Sequence, residues 1–429
     1  MSSNSRICAF PSSVWGQTAT VLAQAKLPIC QRWTELRLSN LYQGSKLGKT
    51  NEPGGVQTLG KPQIGIGLVG SGFMGRCHAN AFRAVSGLFD IPFEPKLRIL
   101  ADATDDLARD GAQALGFERF TADWQELVND PEVGIVAITA PNVLHAPIAL
   151  TAIAAGKTVY CEKPLSTTAA LALEMTEAAE ATGVTTMVGF NFLRNPMIRL
   201  AREIITSGEI GEITGVRGRH AENYMASPEA PHSFRTDPTG GGALADIGSH
   251  ITSMLRYLVG PIAEVQADCR TIFPTRPVAP GSTERAPVKV DDMTHALLRF
   301  ENGAGGSIEA NWAATARTMD LSWEITGTLG ALAFSQEAMN ELRLWSGMPG
   351  RNGFTRVEAG PAHPPYDAFC PAPGHHLGFN DLKVIEVAEL LTAHAGVRNP
   401  GPDFREAYEV QRCIEAMQES ARSGSWVAL

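Results

Sequence analysis

A lysine at the end of an apolar run, and an acid and an imidazole four residues apart, are the groups in this chain best suited to work on a hydroxyl. Lys163 lies in Glu162-Lys163-Pro164, directly after Thr158-Val159-Tyr160-Cys161. Asp246 and His250 bracket Asp246-Ile247-Gly248-Ser249-His250. On a helix that spacing puts both side chains on one face, with about 5–6 Å between Cβ atoms. Oxidising an alcohol by hydride transfer needs a base for the hydroxyl proton, and histidine titrates in the right range. A nearby lysine polarises the oxygen. Taken alone, Asp-x-x-x-His is more often a surface pair, so the reading depends on its surroundings. Gly240-Gly241-Gly242 just before it permits close approach of backbone to a ligand.

A second constellation points to a dinucleotide. The buried-strand run Ile64 to Val69 opens into Gly70-Ser71-Gly72-Phe73-Met74-Gly75 and then a helix-like stretch from Arg76 to Val85. In such a turn Gly70 makes the bend, Gly72 lets backbone approach a pyrophosphate, and Gly75 allows tight helix packing; Phe73 and Met74 begin the helix whose amides face the anion. Asp102, at the end of the next strand, is placed to accept hydrogen bonds from the adenosine ribose. It lies 32 positions after Gly70, against a usual spacing of about 20, and an inserted loop from Gly87 to Pro95 accounts for the excess. Asp105 and Asp106 suit helix capping better than Asp102 does. Ala103-Thr104-Asp105-Asp106 offers no arginine for a 2′-phosphate, which favours NAD over NADP. Thr139, Pro141 and Asn142, after the third strand, either line the cofactor or, for Asn142, cap a helix. Lys163 shares the setting, because open α/β sheets bind ligands beyond the carboxyl ends of their strands.

The elements that must hold these groups follow from hydrophobic period. Strands at 64–69, 97–101, 133–138, 158–161 and 185–188 alternate with helices at 107–115, 147–155 and 167–182, the last with Ser166 as a cap and Gly183 as its end. That alternation specifies βαβ units and a parallel sheet. After Asn195 a helix at 197–207 precedes β-like segments at 213–222, 265–272, 294–300, 306–312 and 321–326, with turns at Glu301-Asn302-Gly303 and Gly327 to Gly330. The stretch 347–377, with six prolines, reads as a long irregular loop, and helices at 382–392 and 404–423 finish the chain. The fold class is therefore α/β: an N-terminal Rossmann doubly wound parallel sheet plus a C-terminal α+β domain with a large, open, mainly antiparallel sheet.

Bulk composition narrows the function. At 429 residues and 44% hydrophobic, the chain can bury more than one core. A net charge of −9 without a Lys/Arg cluster argues against nucleic acid or a membrane surface as partner. No apolar stretch approaches a membrane span of about 20 residues. Seven scattered cysteines without a Cys-x-x-Cys fit reduced thiols in the cytoplasm. His375-His376 lacks a third ligand at sensible spacing, so no metal site is expected. Residues 1–60, with Glu35 and Glu52 their only acids, read as a mobile tail or a misplaced start upstream of the domain, with a targeting segment as the alternative.

The Gly70–Gly75 loop, Glu162-Lys163-Pro164, and Gly241-Gly242-Ala243-Leu244-x-Asp246-Ile247-Gly248-Ser249-His250 together resemble the glucose-fructose oxidoreductase / inositol dehydrogenase (Gfo/Idh/MocA) family, from about Ile64 to the C-terminus. The resemblance implies a Rossmann domain at 61–190 and a substrate-binding and oligomerisation domain at 191–429, dimers or tetramers, and oxidation or reduction of a sugar or cyclic polyol with NAD or NADP, of which the residues after Asp102 favour NAD. It implies that Lys163 contacts the reacting oxygen, Asp246 positions substrate and His250 accepts the proton, with Pro164 matching a proline often cis in the family. Glu162 and Asn191 enter as cofactor candidates. Arg194, Tyr224 and Arg235 enter as substrate candidates, and His232 is either a sugar contact or a loop residue. Phe234-Arg235 stands where relatives often show Trp-Arg. Gly360-Pro361-Ala362-His363-Pro364, the glycine-rich Gly374 to Phe379, and Ser425-Trp426 are similar to the levoglucosan and inositol dehydrogenase-like subgroup. Two rival functions share the scaffold: a glycosidase that oxidises its sugar transiently with tightly held NAD, and a catalytically silent sugar or dinucleotide sensor.

Overall fold

The computed structural model describes residues 60–347, 350, 352–397 and 401–429. The expectation for the leading segment falls on residues 1–59, outside the described residues.

Six short strands build the first sheet. β1 (Gln63–Val69) leads through α1 (Phe73–Leu88) to β2 (Glu94–Ala101), α2 (Asp105–Leu115), β3 (Arg119–Thr121), α3 (Trp124–Asn129) and β4 (Ile135–Ile138). α4 (His145–Ala154), β5 (Thr158–Cys161), α5 (Ala169–Thr182) and β6 (Thr186–Val188) complete it. The order is β3-β2-β1-β4-β5-β6 and every pairing is parallel. Strands with both faces covered are apolar throughout, and β4 and β5 are buried at every residue. The order reverses beside β1, between β1 and β4, which opens the crevice where such sheets bind ligands.

Local signals set several boundaries differently from the sequence reading. α1 continues to Leu88 and β2 begins at Glu94, so the long spacing to Asp102 comes from a longer helix and strand rather than an inserted loop. Thr104 caps α2 by accepting from the Leu107 amide, leaving Asp105 and Asp106 in the first turn, where the helix dipole favours them. Thr168, not Ser166, caps α5; Gly183 ends it in the left-handed conformation (φ 70°).

A short 3₁₀ turn, Asn191–Arg194, and α6 (Pro196–Thr206) lead into the second sheet. β7 (Ile213–Ala221) is followed by a π-helical turn at Leu244–Gly248, α7 (Ser249–Val259) and β8 (Ile262–Arg270). After the small hairpin β9 (Thr275–Pro277) and β10 (Arg285–Pro287) come β11 (Met293–Phe300), β12 (Gly305–Asn311), β13 (Asp320–Gly327), β14 (Ala331–Ser335), β15 (Glu341–Trp345) and β16 (Thr355–Glu358). α8 (Phe379–His394), α9 (Phe404–Ser423) and β17 (Val427–Ala428) end the chain. The large sheet runs β16-β15-β14-β13-β7-β12-β11-β8-β17, with β7–β12 parallel and the other pairs antiparallel. The stretch expected to be irregular contains β16 and a 3₁₀ turn at Tyr366–Ala368; Pro349 lies outside the described residues.

β11 shows how this sheet divides its faces. Thr294, Ala296, Leu298 and Phe300 are buried while His295, Leu297 and Arg299 are exposed, the alternation of a sheet covered on one side. α6, α7 and α9 supply the cover. α8 behaves differently: Val384, Val387, Ala388, Leu390 and Leu391 join the core formed by Ile64, Ile66, Leu68 and Phe82. A helix from the end of the chain therefore packs on the first sheet, beside α1.

Candidate active site

The three glycines of the first turn have distinct physical duties. Gly70 has φ +99° and Gly75 lies so close to it that a Cβ at Gly75 would fall 2.1 Å from the Gly70 carbonyl oxygen. A Cβ at Gly72 would meet nothing within 4 Å. Gly72 is the N-cap of α1 and no side chain caps that helix, so the first-turn amides at Phe73 and Met74 are left facing open space, a ready anion cradle. Asp102 sits beside the turn, its Oδ2 accepting from the Ser71 amide (2.8 Å) and hydroxyl (2.5 Å). Carboxylate, glycine turn and free helix end together fit the ribose and pyrophosphate of NAD. Thr139 braces the same turn, donating to the carbonyls of Val69 (3.0 Å) and Gly70 (2.8 Å). Asn142 caps no helix; Pro141 precedes the 3₁₀ turn and Asn142 Nδ2 donates to the Gly240 carbonyl (3.2 Å), tying the cofactor side to the glycine triplet.

Lys163 leaves β5 through a cis bond to Pro164. Its Nζ reaches the π-helical turn, 2.8 Å from Asp246 Oδ1 and 2.9 Å from the Asp246 carbonyl oxygen. Asp246 Oδ2 accepts from the Tyr224 hydroxyl (2.8 Å) and Arg235 Nε (3.0 Å). Burial works against the charge on Asp246, but Lys163 and Arg235 outweigh it and hold the carboxyl well below the usual carboxylate range. The Arg235 guanidinium covers the rings of Phe234 (4.6 Å) and Tyr224 (5.5 Å), and both rings are partly exposed. Phe234 thus supports the arginine from below.

His250 starts the helix that continues from the π turn, so Asp246 and His250 do not share a regular α-helical face as their spacing predicted. Its ring is buried against Phe192 (4.8 Å), Phe190 (5.8 Å) and His220 (5.5 Å) and has no hydrogen-bond partner among the described residues. Burial first, then the charges of Lys163 and His220, push its pKa well below the usual histidine value. A neutral imidazole with a free ring nitrogen is what a proton acceptor requires. His220 itself is fixed between the Ile247 carbonyl (2.9 Å) and Glu222 (2.9 Å).

Two expected contacts turn inward instead. Glu162 is buried behind Lys163, its Oε1 engaged by His78 Nε2 (2.8 Å) and Lys383 Nζ (2.9 Å). A carboxylate so satisfied inside the protein does not face the cofactor crevice. Arg194 is drawn to Glu389 and Glu386 on α8, away from the substrate side, because a buried guanidinium needs carboxylates around it. Asn191, by contrast, is 2% exposed with Nδ2 lacking any partner among the described residues, a donor a bound carboxamide would satisfy. His232 fastens its loop to Thr236 (3.0 Å) and the Ala286 carbonyl (3.1 Å), the loop role rather than a sugar contact. His145, unnoticed in the sequence, lies buried between the carbonyls of Pro164 (2.9 Å) and Ala140 (2.9 Å) and steadies the Lys163 loop. Lys383 and Glu386 also went unnoticed, although two charges three apart in the apolar run Leu382–Leu391 signal a buried pair. Among the described residues no cluster of three or more His, Cys, Asp or Glu side chains could hold a metal.

Comparison with known proteins places this geometry. Residues 64–190 match the oxidoreductase family with an NAD-binding Rossmann fold, and residues 198–333 match the GFO/IDH/MocA C-terminal domain. Levoglucosan dehydrogenase of Pseudarthrobacter phenanthrenivorans is 37% identical over 380 residues, 85% of this chain and 97% of its own. The structure of levoglucosan dehydrogenase in complex with NADH and levoglucosan is similar at a TM-score of 0.82 and 37% identity, covering 85% of this chain and 99% of that one. An NAD-binding oxidoreductase from Klebsiella pneumoniae is 41% identical with a TM-score of 0.81, over 85% and 98% of the two chains.

Proposed function

The chain belongs to the GFO/IDH/MocA oxidoreductase family, and on that premise we propose that Lys163, Asp246 and His250 assist the oxidation of a secondary alcohol of a sugar or cyclic polyol by NAD. It is an NAD-dependent dehydrogenase acting on CH–OH groups. The observation that carries the residue assignment is the meeting of Lys163 with Asp246 beyond the end of β5, beside a buried, unpartnered His250. NAD, when bound, accepts the hydride. Lys163 donates to the alcohol oxygen and stabilises the charge that develops there. Asp246 fixes Lys163 and orients the substrate, while Tyr224 and Arg235 form the polar wall. His250 takes the hydroxyl proton. Gly70, Gly72, Phe73, Met74 and Gly75 would hold the pyrophosphate of NAD, and Asp102 would accept from its ribose. Thr139, Pro141 and Asn142 border the nicotinamide side together with Asn191.

The two sheets support a dinucleotide-binding domain at 61–190 and a substrate-binding and oligomerisation domain at 191–429. The open face of the large sheet, where Leu297 is 50% exposed, supports a homodimer or homotetramer. Free Cys77, Cys161, Cys269, Cys370 and Cys413 support a cytoplasmic location; no helix among the described residues is long and apolar enough to cross a membrane.

Levoglucosan, inositols and other sugars, each offered with NAD or NADP, test the reading. Net NADH with an oxidised sugar, faster with NAD than with NADP, is expected. Sugar cleavage without net NADH would make the chain a glycosidase, and binding without turnover a sensor.

A further inference from the structure

We propose that Lys383, from helix α8, is a positioning residue for Lys163 and acts through Glu162; this rests on the dehydrogenase reading above.

The observation is a charged network sealed under the active site. Lys383 is fully buried, and its Nζ donates to Glu162 Oε1 (2.9 Å), Glu386 Oε2 (2.7 Å) and the Tyr160 hydroxyl (3.1 Å). Tyr160 in turn donates to Glu386, and Arg194 lies 3.8 Å from the same carboxylate. His78 stacks on Tyr160 (4.3 Å) and meets Glu162 from α1. Burial favours neutral forms, yet Glu162 and Glu386 overcome it and raise the Lys383 pKa, while Lys383 and His78 hold Glu162 well below its usual range. The charges persist because each neutralises the other.

Such a network is a poor way to stabilise a core, since apolar packing of the same volume is often as stable or more so. Its location suggests another use. Glu162 is the last residue before Lys163, and its Oε2 faces the Lys163 amide (3.3 Å). Gly189 makes space for it: a Cβ there would fall 2.6 Å from Glu162 Oε1, so only a glycine at 189 lets the carboxylate sit where Lys383 and His78 hold it. Lys383 and His78 thereby fix the main chain at Lys163 from behind, while Asp246 fixes Nζ from in front. The sequence separates Lys383 from Lys163 by 220 positions, and α8 closes the gap by packing on the first sheet.

The test uses the full chain and compares Lys383→Met with Glu162→Gln/Lys383→Met. The single variant strands two buried carboxylates and is expected to lose both stability and turnover. In the double variant Glu162 is neutralised and Glu386 keeps Tyr160 and Arg194, so the melting temperature should recover toward wild type. Turnover should stay depressed by about tenfold or more, because a reacting group displaced by a fraction of an ångström loses its alignment. Three further measurements separate positioning from bulk stability. NAD affinity should stay near wild type. In Lys383→Met, where Glu162 keeps its charge, the acid limb of kcat/KM should move up in pH, since Lys383 is one of the charges, with Lys163 after β5 and His220 on β7, that depress His250. Reactivity of the Lys163 amine toward an acylating reagent, read by mass spectrometry without any substrate, should rise several-fold. A double variant with wild-type turnover, or with unchanged Lys163 reactivity, overturns the proposal. The labelling readout holds whatever the enzyme's substrate, so it fails separately from the dehydrogenase assignment, which fails if the wild type forms no NADH.

Discussion

Replacing Asp246 by asparagine keeps the shape of the polar cluster while removing its one anion. In the native site that carboxylate accepts from Lys163, Arg235 and Tyr224 at 2.8, 3.0 and 2.8 Å. An asparagine accepts through one oxygen, and its amide presents hydrogens to a cation. Lys163 would keep the Asp246 backbone carbonyl at 2.9 Å, so it is loosened rather than released. One charge-assisted hydrogen bond contributes about 1.5–3 kcal/mol, and each 1.4 kcal/mol is about tenfold in rate. Asp246→Asn is therefore expected to lower kcat/KM by about 10- to 150-fold. NAD affinity, followed by fluorescence titration, should change by less than about threefold, since Asp246 touches none of the glycine-turn residues. The depressed native pKa adds a signature: stability from this ion cluster is present above the ordinary carboxylate pKa of about 3.9 and is lost as pH falls toward the lower native value. Wild-type and variant melting curves should thus converge in acid. A kcat/KM within threefold of wild type, or a parallel loss of NAD affinity, would refute the assignment of Asp246 to the substrate side.

Three more outcomes follow from the same geometry. Because burial, Lys163 and His220 depress the His250 pKa, kcat/KM should stay flat on acidification to below about 6.5, the ordinary histidine value; an acid limb centred above that value would exclude His250 as the buried base. The same depression makes His250 a liability in acid: its burial costs nothing above about 6.5, where the ring is neutral in both states, and the fold loses stability as pH falls from there toward its native pKa, because unfolding frees the ring to take a proton. Asp102→Ala removes the acceptor for Ser71 and for a ribose, and should weaken NAD binding by about 10- to 100-fold and narrow its preference over NADP, while kcat at saturating NAD stays within about threefold; unchanged NAD affinity by titration would count against it.

Much of the fold was legible because period and punctuation are local. Ile64 to Gly75 carries a strand, a turn and a helix start in twelve consecutive residues, and the parallel and antiparallel regions differ in grammar on either side of Asn195. Short elements were harder: β3 is three residues long, and β14 to β16 have too few residues of alternating pattern to stand out from their loops. The π-helical turn at Leu244–Gly248 was illegible because its residues also suit an α-helix. Lys163, Asp246 and His250 could be named because each lies in a short motif. Glu162 and Arg194 were placed in the crevice because the charges that turn them inward, Lys383, Glu386 and Glu389, come from α8, and no local pattern links α8 to β5. Side-chain direction at Glu162 and Arg194 was decided by these long-range partners.

The most direct test is Lys163→Ala, assayed for NADH formation on the best sugar substrate of the wild-type enzyme and, in parallel, for NAD affinity. The account predicts turnover lowered by about 10²-fold or more with NAD affinity nearly unchanged, because Lys163 Nζ is bound to Asp246 rather than to the glycine turn. Turnover equal to wild type would contradict it.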